Sequence, residues 1–420
     1  MNKDEILFTA KKIGIRGFEA AATPFLYLWG WLFPEPTIVD GPDALQRIPD
    51  ILKERGEKKP LVVTDPNIFK LGLLDEFLAG MDKDGVPYAV FHDVHANPTV
   101  EDVEAGRQAY KDNGCDSLVA VGGGSSMDCA KGIMARVWRP SRPVKKMKGL
   151  LMVTLPSLQM NGLLPPTLYA APTTAGTGSE TTIAAVITDA QTHDKFPIMD
   201  PFIRAKYAVL DPKLTVGLPK QVTANTGLDA LCHAVEGYTN IWYNDKATND
   251  KGVQAVKIIF QYLETAYNDP GNLEARSKML LASYYAGLCF TRGGVGYVHG
   301  IGHRLGGMYG VPHGLAMAVI LPHVMSDEFL GPYVYDKLAD LADAVGITGA
   351  TDEAKAKAFV AEIRAMEERM AIPTGFDCIK DEDISLIAER CMAEVYPEYP
   401  VKHIFTKEEI EEFIRKYIKQ

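Results

Sequence analysis

The feature that most constrains this chain is a change of period near residue 219. Before it, short β-branched or apolar runs recur: PLVVTD (60–65), YAVFHDV (88–94), DSLVAVGGG (116–124), LLMVTLP (150–156), IAAVITD (183–189) and KYAVLD (206–211). Polar amphipathic stretches such as 100–113 separate several of them. Strands alternating with helical stretches predict a parallel or mixed sheet with helices on its faces. After DPKLTVGLPKQ the strand signals stop. Helical period then runs over roughly 222–238, 245–267, 273–290, 295–308, 313–328, 331–344, 352–370, 380–394 and 406–418. The expected organisation is an aromatic N-terminal extension (1–36), an α/β domain (37–218) and an all-helical domain (219–420).

At 420 residues the chain is long enough for two full cores. Its formal net charge of −10 argues against a nucleic-acid partner. The six cysteines (Cys115, Cys129, Cys232, Cys289, Cys378, Cys391) are scattered without a CxxC, which fits reduced thiols in the cytoplasm better than a disulfide framework. Near the N-terminus the apolar run Phe25–Phe33 is far shorter than the ~20 residues that span a bilayer. Lys11, Lys12 and Arg16 precede it, but Pro24 interrupts the apolar stretch and no small-x-small cleavage site follows Phe33, so a signal peptide is disfavoured. Phe25, Tyr27, Trp29, Trp31 and Phe33 carry too much apolar surface to leave in water. The expectation is that they pack at a subunit interface of a homodimer or larger homo-oligomer.

Two loops in the first half offer phosphate chemistry. The run ending at Val121 is followed by Gly122-Gly123-Gly124-Ser125-Ser126 and then a helical start. Such a turn presents backbone N–H groups and the positive end of a helix, and a Cβ there would block a pyrophosphate. An ordinary strand–helix turn seldom needs three glycines and two serines, so the phosphate reading is preferred, although no complete GxGxxG is present. A second loop, PTTAGTGSETT (172–182), adds hydroxyls and backbone donors. Together they point to a long phosphorylated ligand, such as a dinucleotide, lying across a sheet edge. Asp65 closes LVVTD. It can accept from a ribose 2′-OH and repel a 2′-phosphate, or it can serve the turn Asp65-Pro66-Asn67; spacing leaves both open.

The second half carries a ligand set. Asp229 and His233 are four apart, as are His299 and His303, and His313 follows. Residues four apart share a helix face, so two such helices can aim a carboxylate and imidazoles at one point. That donor set suits Fe(II) or Zn(II) and is poor for Mg or Ca. Any one His is more often an ordinary core or surface residue. That reading weakens here because only nine His are present and four fall between 299 and 323. Spacing leaves five candidates for about four places.

With these motifs in view, the chain resembles the iron-containing (group III) alcohol dehydrogenases, relatives of glycerol dehydrogenase and dehydroquinate synthase. The matching blocks are VTD (63–65), NPT (97–99), GGGSSMDCAK (122–131), PTTAGTGSE (172–180), DPKLT (211–215), GLDALCHAVEGY (227–238), VHGIGH (298–303) and VPHG (311–314), in family order. The resemblance implies an N-terminal dinucleotide-binding α/β domain and an all-helical metal-binding domain, with the active site in the cleft between them. It implies Asp229, His233, His299 and His313 as metal ligands, with His303 beside the site. It implies Asp65 at the adenosine ribose, and Asn97, Gly123, Gly124 and Ser125 at the phosphates and sugars. Thr173, Thr174, Thr177 and Thr182 would continue along the cofactor, and Lys195, Leu214 and Thr215 would complete the nicotinamide side.

The implied activity is hydride transfer between NAD(H) and a small primary alcohol or diol and its aldehyde, with Fe(II), or Zn(II), as Lewis acid. His303 is placed for a proton relay, or for orienting a ligand. The stretch 284–290, ending at Phe290, could line an aliphatic pocket or simply be core. Alternatives are glycerol dehydrogenase-like polyol oxidation and a non-redox lyase of the dehydroquinate synthase type. The lyase needs several basic residues near the ligands, where only Arg292 and Arg304 stand out. A binding or assembly protein built on the aromatic N-terminus fits poorly with an intact ligand set. Departures from the family pattern are the extension, the segment 141–167, Gly300 in place of the usual Ala, and YPEYPVKHIFT where an Asn-Pro-Arg element is frequent.

Overall fold

The computed structural model describes residues 3–154, 164–192, 194–241 and 243–420, with backbone alone for 3–7, 25–32 and 194. The chain forms two compact units. One comprises Glu35–Leu218 with Gly271–Tyr284; the other comprises Met1–Pro34, Pro219–Pro270 and Tyr285–Gln420. Gly271–Tyr284 thus packs with the α/β unit although it lies beyond residue 218. One cause is the Tyr284 hydroxyl, which donates to the Pro36 carbonyl at 2.7 Å.

The chain begins with helix α1 (Lys3–Leu32). The α/β unit then runs β1 (Thr37–Asp40), α2 (Ile48–Arg55), β2 (Pro60–Val63), α3 (Pro66–Lys70), α4 (Asp75–Lys83), β3 (Ala89–Phe91), α5 (Val100–Asp112), β4 (Ser117–Gly122), α6 (Gly124–Trp138), β5 (Gly149–Leu150), β6 (Thr167–Pro172), β7 (Ala184–Asp189), β8 (Asp194–Met199) and β9 (Tyr207–Leu210). Six strands form one sheet in the order β1-β9-β6-β4-β2-β3, and every pairing in it is parallel. Side chains on a strand alternate between faces, and the cores follow that rule. Leu61, Val63, Leu118, Ala120, Leu168 and Ala170 belong to one apolar cluster, while Val62, Val119, Val121, Tyr169 and Ala171 belong to another. Burial on both faces explains why these strands read as continuous apolar runs.

Two strand expectations change, and β1, β6 and β8 fall outside the runs read as strands in the sequence. Of the described part of LLMVTLP only Leu150 is in a strand: β5 is two residues long and 151–154 is a turn, with Leu151 at φ +59. Residues 155–163 lie outside the described residues. The 183–189 run is a strand, but it pairs antiparallel with β8 in a separate three-stranded sheet. The strand between β4 and β9 is instead β6, whose Ala-rich TLYAAP carries a weak signal.

The other unit is helical: α7 (Lys220–Thr239), α8 (Lys246–Asn268), α9 (Leu273–Gly293), α10 (Tyr297–Tyr309), α11 (His313–Val324), α12 (Gly331–Ala344), α13 (Asp352–Arg369), α14 (Asp381–Val395) and α15 (Lys407–Phe413), which ends in a π turn at 414–418. The first half of α9 is the segment that packs with the α/β unit. Two departures from the family pattern meet here. Arg16 on α1 donates to the Val401 and Lys402 carbonyls at 2.8 and 3.0 Å, so the extension docks on the unusual C-terminal stretch. Ile15 and Glu19 of α1 are buried, while Ile13 and Phe18 are exposed. The side chains of 25–32, on which the subunit-interface expectation falls, lie outside the described residues. Among the described residues no helix is long and apolar enough to cross a membrane.

Candidate functional site

In the α/β unit, the residues expected at the cofactor lie largely where parallel strands end. Asp65 follows β2, Asn97 follows β3, Gly123–Ser125 follow β4, Thr173–Thr177 follow β6, and Leu214 and Thr215 follow β9. The carboxyl ends of such strands are where open α/β sheets bind ligands.

Several of these residues touch. The Asn97 amide donates to Ser125 Oγ at 3.3 Å, and Lys195 Nζ donates to Asn97 Oδ1 at 2.8 Å. Asn97 is itself left-handed, at φ +60, a conformation that asparagine tolerates better than most residues. Burial lowers the Lys195 pKa. The Thr173 amide donates to the Gly122 carbonyl at 3.0 Å, which joins the two loops. A Cβ at Gly124 would lie 3.1 Å from Thr177 Cγ2, and one at Gly122 would lie 2.4 Å from Ser126 Oγ. The glycines therefore let the second loop and Ser126 close onto the turn. At Gly123 the nearest atom to a Cβ, Thr174 Oγ1, is 3.8 Å away, so that glycine keeps room on the turn's open side.

Other expected residues are occupied locally. Thr182 is buried and accepts from Lys131 Nζ at 2.8 Å. The Thr215 hydroxyl donates to the Pro212 carbonyl at 2.9 Å, and Leu214 belongs to an apolar core. Asp65 serves the turn reading: its Oδ1 accepts from the Asn67 and Ile68 amides at 2.9 and 3.1 Å, capping α3. Its Oδ2 faces the Gly122 position, 3.7 Å from where a Cβ would stand, so the second oxygen points toward the Gly-rich turn.

Sequence reasoning missed the clamp beneath these loops. Lys131, wholly buried on α6, also donates to Ser179 Oγ (2.9 Å) and the Ala184 carbonyl (2.8 Å), and Asp128 accepts from Ser179 Oγ (2.8 Å) and the Val186 amide (3.0 Å). Burial pushes the Lys131 ammonium down to about 8. The spacing was a usable signal, because Asp128 and Lys131 fall on one helical face four and seven residues after Gly124.

In the helical unit, three helices bring the expected ligands together. Asp229 and His233 project from α7, His299 from α10, and His313 from the first residue of α11. One ligand atom from each lies within 4.8 Å of all the others. His233 Nε2 and His299 Nε2 are 3.1 Å apart, and Asp229 Oδ1 is 3.4 Å from His313 Nε2 and 3.9 Å from His233 Nε2. Bonds of about 2.1 Å to a tetrahedral ion place donor atoms about 3.4 Å apart, so these spacings fit one divalent ion. The buried Asp229 Oδ1 makes no hydrogen bond, which an ion would remedy. Two imidazole nitrogens at 3.1 Å likewise need either a proton or a shared cation between them.

Electrostatics agree with that geometry. Burial works to raise the Asp229 pKa, but His233, His313 and His299 outweigh it and hold the carboxyl well below its ordinary value. Burial drives the His299 pKa well down, and His313 and His303 add to this against Asp229 and Glu394, which favours the unprotonated ring that a metal needs. His303 is stacked on His313 with centroids 5.3 Å apart, and its Nδ1 is 2.6 Å from Glu394 Oε1. Glu394 also pairs with Arg304 and accepts from the Tyr399 hydroxyl at 3.0 Å. Burial raises the Glu394 pKa, but the His303, Arg304 and Tyr399 contacts dominate and bring it down to about 2. On the other side His299 Nδ1 lies 2.5 Å from Glu236 Oε2. Burial pushes the Glu236 carboxyl up to about 7, against the Val298 and Gly296 amides and His233. Cys232, whose thiol burial raises far above its ordinary range, donates toward Glu236 at 3.7 Å.

Phe290 stacks on His233 at 4.1 Å between centroids, whereas Tyr284, Ala286, Leu288 and Cys289 are buried, as the core reading of 284–290 holds. Gly300 also has a reason: a Cβ there would meet Val395 Cγ2 at 2.7 Å and Cys391 Sγ at 2.9 Å, so α14 approaches α10 too closely for the usual alanine.

Comparisons with known proteins agree with this architecture. Residues 35–212 match the family model for iron-containing alcohol dehydrogenase, and 223–418 match that for the C-terminal part of the Fe-containing alcohol dehydrogenase family. The chain belongs to the iron-containing alcohol dehydrogenase family, and it is an oxidoreductase of that class. It is similar to the NAD-dependent methanol dehydrogenase of Bacillus methanolicus, 34% identical over 367 residues, which cover 86% of this chain and 93% of that one. Among solved structures it is similar to a 1,3-propanediol oxidoreductase (TM-score 0.84, 32% identity, covering 91% of this chain and 98% of the other). It is also similar to a sulfoacetaldehyde reductase from Bifidobacterium kashiwanohense in complex with NAD+ (TM-score 0.78, 28% identity, covering 92% and 98%).

Proposed function

We propose that this chain transfers a hydride between NAD(H) and a small primary alcohol or diol and its aldehyde, with one divalent ion held by Asp229, His233, His299 and His313. The observation that carries the reading is the convergence of these four donor atoms within 4.8 Å, among them a buried carboxylate oxygen that makes no hydrogen bond. Three imidazoles and one carboxylate suit Fe(II), and Zn(II) would fit the same donors. When bound, the ion would polarise the substrate oxygen as a Lewis acid and ease loss of the alcohol proton.

The chain's own residues do the rest. Asp65, Asn97, Gly123, Gly124, Ser125, Thr173, Thr174 and Thr177 hold the dinucleotide along the strand ends, with Lys195 tied to Asn97. Thr182 acts from beneath through Lys131, and Leu214 and Thr215 shape the wall after β9. NAD(H) is preferred because Asp65 Oδ2, left over from the cap, would meet a 2′-phosphate as a like charge. His303 carries the proton: Glu394 engages its Nδ1, which leaves Nε2 to exchange protons between substrate oxygen and water.

Relatives named for methanol, 1,3-propanediol and sulfoacetaldehyde support small alcohols and aldehydes as the substrate class. The lyase reading loses its basic residues, since Arg292 is paired with Asp245 at 2.6 Å and Arg304 with Glu394. We place the enzyme in the cytoplasm as a homodimer or larger assembly, on its scattered free cysteines and aromatic extension. The test is anaerobic mixing of protein, Fe(II), NADH and propanal while the reduced-nicotinamide absorbance is followed. Turnover that chelation abolishes is expected; no turnover with propanal or any other short aldehyde would contradict the reading.

A further inference from the structure

Glu236 stands behind the ligand set, and family resemblance assigned it no role. It lies three residues after His233 and seven after Asp229, so α7 presents two ligands and this carboxylate along one face. It is wholly buried. A buried carboxylate is costly unless its oxygens are paired, and here both are. Oε1 accepts from the Val298 amide at 2.8 Å, and Oε2 lies 2.5 Å from His299 Nδ1. The helix that receives Glu236, α10, has Gly296 at its N-cap and so no capping side chain of its own. A Cβ at Gly296 would lie 2.9 Å from Glu236 Oε1, so the glycine is what lets the carboxylate reach the first turn.

Two hydrogen bonds to one side chain, one from the Val298 amide and one at the adjacent His299 ring, both in the first turn of α10, fix both the helix and the ring. A carboxylate facing Nδ1 selects the tautomer with hydrogen on Nδ1 and leaves Nε2 bare. Nε2 is the nitrogen that faces His233 Nε2 at 3.1 Å. The nearby trio Cys232, Glu236 and His299 is not a second ion site, because a carboxylate oxygen and a ring nitrogen at 2.5 Å share a proton and are too close to share an ion.

We infer that Glu236 is a positioning residue for the metal centre: by accepting from His299 Nδ1 while capping α10, it sets the tautomer and ring angle with which His299 meets the ion. This rests on the metal reading above. It predicts that the centre weakens when the carboxylate is made neutral, although no ligand has changed.

The experiment uses the full chain and Zn(II) competition against a chromophoric chelator, comparing the unaltered protein with Glu236→Gln. The glutamine keeps an oxygen for the Val298 amide but can offer His299 Nδ1 an N–H, which favours the wrong tautomer. Zn(II) affinity is expected to fall about 10- to 100-fold, while the metal-free variant unfolds near the temperature of the metal-free parent. A variant that binds Zn(II) as tightly as the parent would overturn the inference and leave the metal reading standing. An unaltered protein that binds no Zn(II) would overturn the metal reading itself. If Glu236→Gln does not fold, long-range 1H–15N histidine spectra of the unaltered, metal-free protein decide: hydrogen on His299 Nδ1 supports the inference, and hydrogen on Nε2 overturns it.

Discussion

The α/β unit and the helical unit build their candidate sites in opposite ways. In the first, the residues come from the ends of separate strands, and much of what they offer is backbone N–H and space at glycines. In the second, four side chains on three helices meet at one point, largely buried and backed by Glu236 on one side and Glu394 on the other. A sheet edge specifies a site by topology, so one side chain there tunes preference. A buried donor cluster specifies a site by chemical identity, so one side chain there decides occupancy. The comparison teaches that substitutions should be graded in the first unit and, at the four donor residues, close to all-or-none in the second.

The largest graded effect is expected at Asp65. The unaltered enzyme should favour NADH over NADPH by roughly 100-fold or more in kcat/KM, since facing like charges costs several kcal/mol. Asp65→Gly should admit NADPH with some loss of NADH affinity. Replacing the α3 cap by glycine should cost only about a few tenths of a kcal/mol, so stability should barely change. Equal efficiencies for both cofactors in the unaltered enzyme, or no relaxation in the variant, would reduce Asp65 to the cap and leave the sheet edge without its selectivity.

A smaller effect separates the support of the helical site from its ligands. The Glu394 pKa is about 2 in the folded chain against an ordinary 4.5. Between those values the unfolded chain binds more protons, so the stability this group contributes is complete above about pH 4.5 and is lost as pH falls toward 2. The contribution is roughly 3 kcal/mol at most. Glu394→Gln should therefore lower the unfolding free energy near pH 7 and flatten its fall below pH 4.5. Curves for the two proteins that stay parallel from pH 7 to 3 would show that His303 and Arg304 do not hold Glu394 as described.

How much of this was legible in the sequence follows the same division. The α7 ligands could be read because a four-residue spacing is a local signal, and the helical unit followed its period almost element by element. The Gly-rich turn could be read because its glycines have a steric purpose at Gly122 and Gly124. The choice of His313 over His303 as ligand came from resemblance, since both rings lie close to His299. Glu394 was illegible because it is 91 residues from His303, and nothing local marks the pairing. Glu236 was within reach, on the same face of α7 one turn beyond His233, but an acidic residue on a helix ordinarily reads as solvated surface. LLMVTLP misled because an apolar run does not reveal a left-handed residue such as Leu151. β6 was missed because short Ala-rich strands are held by their neighbours rather than by propensity.

The central claim is that Asp229, His233, His299 and His313 hold one ion and that turnover depends on it. The most direct measurement is metal content per chain by elemental analysis of anaerobically purified protein, the parent beside His299→Ala. The account predicts close to one divalent ion per chain in the parent, almost none in the variant, and loss of NADH-dependent aldehyde reduction along with it. A His299→Ala protein that keeps the parent's metal content and rate would contradict it.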